Sequence, residues 1–197
     1  MRLRNLLMLI ALPAALLTAC GPNPEPTQAT RLGAALGGEP DAGYARALTP
    51  RGFEFPADHG AHPDFRNEWW YLTGNLAAPD GRRFGYQFTL FRVALSPDMP
   101  ERGSGWASRQ VWMGHAAVTD IGNRRHRSDE RFARGALGLA GAEAAPLRVW
   151  LEDWQLSAPG DGRPWQVEFA SEDFALQLDL DPLKPPVLQG DQGLSQK

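Results

Sequence analysis

Two histidines, several carboxylates and three consecutive aromatic residues crowd into one short stretch, Asp58-His59-Gly60-Ala61-His62-Pro63-Asp64-Phe65-Arg66-Asn67-Glu68-Trp69-Trp70-Tyr71. A carboxylic acid beside aromatic faces can protonate an unactivated double bond, because the rings stabilise the resulting carbocation by cation–π attraction. Such an acid must stay protonated, and desolvation achieves this by raising its pKa. Asp58 and Glu68 are the candidate donors, with Trp69, Trp70 and Tyr71 as candidate ligand-facing rings. The competing structural readings are a loop aspartate that bonds backbone groups and a glutamate buried against Arg92 or a histidine. Neighbouring Trp69 and Trp70 on a strand point to opposite faces, so at least one of them is plain packing.

His59 and His62 form a His-x-x-His pair, and with Asp58 and the distant His115 they could ligate zinc or iron. That spacing falls on an expected loop, where nothing fixes the geometry, so no metal site and no cofactor is assigned. His115 shares strand parity with Val111, Met113 and Ala117. A satisfied core histidine is the expectation; the functional alternative has it pointing into a barrel to polarise a water or a donor. Arg124-Arg125-His126-Arg127, followed at once by Asp129 and Glu130, reads as a solvated loop. The sequence has no phosphate loop, no His-Glu-x-x-His, no Cys-x-x-Cys and no Gly-x-Ser-x-Gly elbow. The last absence argues against an α/β-hydrolase.

The elements that position these residues read as β throughout. Phe84, Tyr86, Phe88 and Leu90 alternate with small or polar residues, at strand period. Trp70–Ala77 precedes them across the turn signal Pro79-Asp80-Gly81, and Arg109–Thr119 makes a third strand. Further strands are expected at Leu147–Leu151, Trp165–Phe169 and Phe174–Leu180, and a seventh near Arg131–Leu139. Pro159-Gly160-Asp161-Gly162 is another turn. No amphipathic helix of twelve or more residues stands out. The fold class expected is all-β, an antiparallel barrel or sandwich. Six or seven strands fall short of the eight that close a small barrel, so apolar inner face and a strand edge are expected to stay exposed.

Composition narrows the classes of function. The 197 residues carry a formal charge of -3 and lack the basic stripe of a nucleic-acid binder. Hydrophobic residues at 43% supply a real core. The lone Cys20 excludes an intrachain disulfide framework. Seven tryptophans call for large rings in a core or against an apolar ligand.

The amino terminus reads as an address. Arg2 and Arg4 precede the apolar run Leu6–Leu17, which is shorter than a membrane span. Leu17-Thr18-Ala19-Cys20-Gly21 resembles a bacterial lipobox, whose cysteine receives lipid chains and becomes the mature terminus. Residues 1–19 are therefore expected to be a lipoprotein signal peptide, and multiple acyl chains on Cys20 give a stable anchor. Their removal takes two arginines and no acids, so the charge of -3 becomes -5. Gly21 after the cysteine resembles lipoproteins sent to the outer membrane, which places the domain in the periplasm or at the cell surface. Residues 20–50, rich in Pro, Gly and Ala, form a tether, with a short helix expected around Tyr44–Leu48.

The segment Phe55-Pro56-Ala57-Asp58-His59-Gly60-Ala61-His62, leading into Glu68-Trp69-Trp70-Tyr71-Leu72-Thr73-Gly74-Asn75-Leu76, strongly resembles the carotenoid 1,2-hydratase / AttH-like lipocalin family. Gly85-Tyr86-Gln87-Phe88-Thr89-Leu90-Phe91-Arg92 and Gly114-His115-Ala116-Ala117-Val118-Thr119-Asp120 match it as well, so the likeness covers roughly residues 51–197. The resemblance implies two packed lipocalin-like β domains in chains roughly double this length. It also implies cofactor-independent addition of water to an isolated double bond of acyclic carotenoids, although many relatives are secreted or lipid-anchored proteins without an assigned reaction. Asp58, His59, His62, Glu68 and His115 are the catalytic candidates; Trp69, Trp70, Tyr71 and Gln87 are the ligand-binding ones. The stretch from Pro185 to Lys197 resembles a mid-protein segment of the family, so residues 51–197 are expected to be its N-terminal domain, with the C-terminal domain missing. Two classes of function remain open. One is a hydro-lyase acting on an apolar isoprenoid or lipid; the other is a lipid-anchored module that binds such a ligand without transforming it. A secreted hydrolase ranks below both.

Overall fold

Alternating side chains fold this chain into two antiparallel meanders. The computed structural model describes residues 43–98, 103–160 and 162–195. Cys20, the expected signal peptide and most of the tether lie outside the described residues. The first sheet runs β1 (Asn67–Ala77), β2 (Arg83–Ala94), β3 (Gln110–Asp120) and β4 (Arg125–Arg134), in that spatial order. The second runs β5 (Ala140–Ala144), β6 (Leu147–Leu151), β7 (Trp154–Ala158), β8 (Trp165–Ala170) and β9 (Ala175–Leu180). One 3-10 turn, Ala57–His59, is the sole helical element among the described residues.

The sheets bury one face each against the other. Phe88, Leu90, Trp112 and Ala116 of the first meet Val149, Leu151, Trp154, Leu156, Val167 and Phe169 of the second. Phe88 stacks on Phe169 with centroids 5.3 Å apart. At Gly114 the sheets pack tightly: a Cβ there would lie 2.8 Å from Leu151 Cδ2 and 3.1 Å from the Trp154 ring. Tight turns keep the meanders compact. Gly81 adopts φ +86°, and Glu152, at φ +57°, turns β6 directly into β7.

Three expectations need correction. The strands number nine among the described residues, not six or seven, because β4, β5 and β7 carry weak sequence signals. Arg125, His126 and Arg127 begin β4 rather than lying in a loop. Residues 45–48 are irregular, not a short helix. The inner faces behave as expected of an antiparallel sandwich or incomplete barrel: the central strands are buried between the sheets, whereas inward residues of the outer strands β1 and β9, among them Leu72, Leu76, Leu176 and Leu180, are only half-buried.

Candidate functional site

The segment before β1 is fastened to the first sheet by a chain of charges. Arg51 Nη2 donates to Asp58 Oδ1 at 2.7 Å, and the Glu54 N–H donates to Asp58 Oδ2. His62 Nε2 meets Asp58 Oδ1 at 2.9 Å, while its Nδ1 meets Glu68 Oε1 at 2.6 Å. The His62 N–H donates to Glu68 Oε2 at 2.9 Å. Arg92, only 1% exposed, donates from Nε to Glu68 Oε2 at 3.1 Å. Its Nη2 holds the carbonyls of His62 and Phe65 at 2.9 and 2.8 Å. β1 and β2 place Glu68 opposite Arg92 by register, so strand pairing itself brings the pair together.

This geometry sets the protonation states. The Arg51 guanidinium, the Glu54 N–H and His62 hold the Asp58 carboxyl well below the usual carboxylate range. Burial alone would push the His62 imidazole down, but its bonds to Asp58 and Glu68 outweigh that and raise it above 6.5. Asp58 is therefore ionised, contrary to the expectation of a protonated donor there. The His62 ring presents both nitrogens to carboxylates, so it has no free lone pair with which to act as a base.

His59 lies elsewhere. Its ring packs 4.5 Å from Phe55 and 4.8 Å, edge-on, from Trp165, and burial lowers its pKa. Its carbonyl accepts the Trp70 Nε1–H at 2.8 Å. The His-x-x-His pair thus diverges instead of converging on one point. Among the described residues, no group of three or more His, Cys, Asp or Glu is arranged to hold a metal ion.

The remaining candidates gather on the other face of the first sheet. Pleating separates Trp69, 60% exposed, from half-buried Trp70, which stacks on core Trp112 with centroids 5.7 Å apart. Trp69 is in register with Phe91, Met113 and Phe132, making an apolar row across all four strands. Phe132, at the far end of that row, is 49% exposed. The adjacent row is Tyr71, Thr89, His115 and Glu130, with His115 Nε2 3.8 Å from Glu130 Oε2. Gln87 lies in the third row, with Thr73, Ala117 and Ser128. His115 is therefore not a core histidine. The core side of β3 is Trp112, Gly114 and Ala116, and His115 stands opposite them, edge-on to Phe91. Beyond the apolar row the face dips into two adjoining shallow cavities of about 480 and 400 Å³, which share Gln87, Ala117 and His126.

The structure thus sorts the candidates into two groups. Asp58, His62 and Glu68 belong to the fastening network, with His59 and Trp70 packed beneath the same segment. Trp69, Tyr71, Gln87 and His115 share the open face. Sequence reasoning passed over Phe91, Met113 and Phe132 as site residues. The signal for Phe91 was present, because apolar residues of both parities from Phe88 to Val93 mean contact on both faces of β2.

Comparison with known proteins agrees with this architecture. Residues 46–197 match the family model described as AttH-like. The crystal structure of a Nitrosomonas europaea protein, provisionally assigned as an AttH, aligns with a TM-score of 0.64 and 36% identity. The alignment covers 76% of this chain and 45% of that one, so this chain spans less than half the length of that relative. The chain has no match among the curated proteins. A family model that takes in both sheets and the segment fastened to them leaves one conclusion: this chain belongs to the AttH-like family.

Proposed function

We propose that the protein binds an apolar isoprenoid or lipid chain across the open face of β1–β4, from a position anchored to the outer membrane by lipid on Cys20. One observation carries the reading: the row Trp69, Phe91, Met113 and Phe132 crosses the whole sheet on the side away from the core. Exposed tryptophan and phenylalanine in one line cost solvation free energy that a chain laid along them recovers, at about 25 cal/mol per Å². Lipidated Cys20 would hold this face in the periplasm, or at the cell surface, within reach of membrane-derived ligands. The test is a titration of intrinsic tryptophan fluorescence with a C20 isoprenoid alcohol. Binding should weaken about tenfold in a Trp69→Ala, Phe132→Ala double variant. A titration indifferent to both changes would overturn this reading.

Hydration of an isolated double bond is the second reading, favoured by His115 and Glu130 standing 3.8 Å apart beside the apolar row. A base and an acid so placed could pass a proton between a ligand and water. Mass spectrometry of an acyclic carotenoid incubated with the protein would show a gain of one water. An unchanged carotenoid mass would leave the protein as a binding module.

A further inference from the structure

We infer that the shallow trough beside the apolar row is a subsite for an uncharged, polyhydroxylated head group, so that the ligand is a sugar- or polyol-headed lipid. This inference rests on the apolar-chain reading above and names the polar end of the same ligand.

The trough exists because its floor is small. Ala117 sits between Gln87 and Ser128 in one row, and Gly85 sits between Asn75 and Thr119 in the next. With strands spaced about 4.8 Å apart, Gln87 and Ser128 face each other across roughly 10 Å. Among the described residues, the side chains of Asn75, Gln87 and Ser128 form no hydrogen bond within the protein, so an amide, another amide and a hydroxyl stand ready on three strands. Thr119 and His126 are already paired at 2.9 Å and shape the end wall.

The chemistry of this lining selects against charged heads. No lysine or arginine lines either cavity, so a phosphate or carboxylate would lack the cation that recognises it. Glu130 and Asp129 border the trough instead. On this face Arg83 belongs to the row beyond Gly85 and Arg134 to the row beyond Phe132, so neither stands in the rows that form the trough. A carboxylate accepts hydrogen bonds from neighbouring hydroxyls, and side-chain amides both donate to and accept from them. Tyr71, 54% exposed and two residues from Thr73 on the same side of β1, offers a flat ring to the C–H face of a sugar. Gln87 and the apolar row then bind opposite ends of one molecule.

The experiment compares four octyl probes of equal chain length with the full chain: octyl glucoside, octanol, octyl phosphate and octylammonium, each below its micelle concentration. Methyl glucoside tests the head alone. Octyl glucoside should bind about tenfold more tightly than octanol, and that ratio should fall toward one in an Asn75→Ala, Ser128→Ala double variant with an unchanged melting temperature. Equal binding of glucoside and octanol overturns the head-group inference while leaving the apolar-chain reading intact. Tightest binding of the phosphate or of the ammonium overturns it too. Methyl glucoside binding as tightly as octyl glucoside would assign the trough to a free glycan instead of a lipid. If no octyl probe binds, the apolar-chain reading itself fails.

Discussion

The His62 imidazole stands 2.6 Å from the Glu68 carboxylate, and this contact ties the segment before β1 to the sheet that segment caps. Its other nitrogen meets Asp58, so one ring bridges two carboxylates. The bridge has a pH window. The His62 pKa is raised on folding, so its contribution is complete below the unfolded value of 6.5 and is lost as pH rises through the folded value. The Asp58 pKa is depressed, so its contribution is complete above 3.8 and is lost as pH falls through the folded value. The contribution of this bridge to the melting temperature should therefore be greatest between pH 3.8 and 6.5 and decline on the alkaline side, while buried His59, whose pKa is lowered, works against it below pH 6.5. His62→Gln should flatten the alkaline decline specifically. An identical pH profile in that variant would show that the bridge contributes nothing to the folded state.

Arg92 is the buried cation of the same network. Removing one partner of a buried pair strands the other in low dielectric, at a cost of about 3–5 kcal/mol. Arg92→Ala also releases the carbonyls of His62 and Phe65. Urea denaturation should show a loss in that range. A loss under 1 kcal/mol would mean that water satisfies Glu68 and both carbonyls without the arginine.

The sequence made β1, β2 and β3 legible because long alternating runs of large residues, such as Phe84 to Leu90, admit few other readings. β4 hid because Arg125 to Arg134 is charged on both faces. As an edge strand it covers the core with small Ala133 and with the stem and plane of Arg131, which stacks 4.5 Å from the Trp154 ring, rather than with large aliphatic side chains. β5 is Ala-Gly-Ala-Glu-Ala, with no strand propensity of its own, and β7 follows β6 too closely to be read separately. The site was half legible. Strand parity grouped His115 with Val111 and Met113, but apolar character alone pointed to the wrong side. Trp112, Gly114 and Ala116 form the core face, and only the second sheet decides that. The pairing of Glu68 with Arg92 or a histidine was among the sequence alternatives, whereas Arg51 gave no signal because a loop brings it to Asp58.

The contact between the sheets at Gly114 leaves no room for a methyl group. Leu151 Cδ2, Trp154 Cε3 and Leu90 Cδ2 would lie 2.8, 3.1 and 3.3 Å from a Cβ. Gly114→Ala should destabilise the fold by about 1–3 kcal/mol through overpacking. Differential scanning calorimetry checks this, and an unchanged melting temperature would mean that Leu151 swings aside without loss.

The anchor has its own test, independent of the fold. Cys20 is the only thiol in the chain and follows a lipobox-like sequence. Cys20→Ser should abolish incorporation of radiolabelled palmitate and release the protein from the membrane fraction. Equal labelling of variant and parent would refute lipid attachment at this residue.

Trp69 and Trp70 are neighbours in sequence and opposites in role, which makes them the sharpest pair of variants. Trp70 stacks on Trp112 and donates Nε1–H to the His59 carbonyl at 2.8 Å, so it joins the core to the fastened segment. Trp70→Ala should cost about 3 kcal/mol, through lost packing and an unsatisfied carbonyl. Trp69 projects from the other side of the same strand, and replacing an exposed ring changes stability by about 0.5 kcal/mol or less. Its loss should instead weaken binding of an isoprenoid alcohol, because the apolar row loses its most exposed member. Urea melts and fluorescence titrations on the two single variants separate these effects. If Trp69→Ala melted early and bound normally, the open face would be a structural surface and not a binding one.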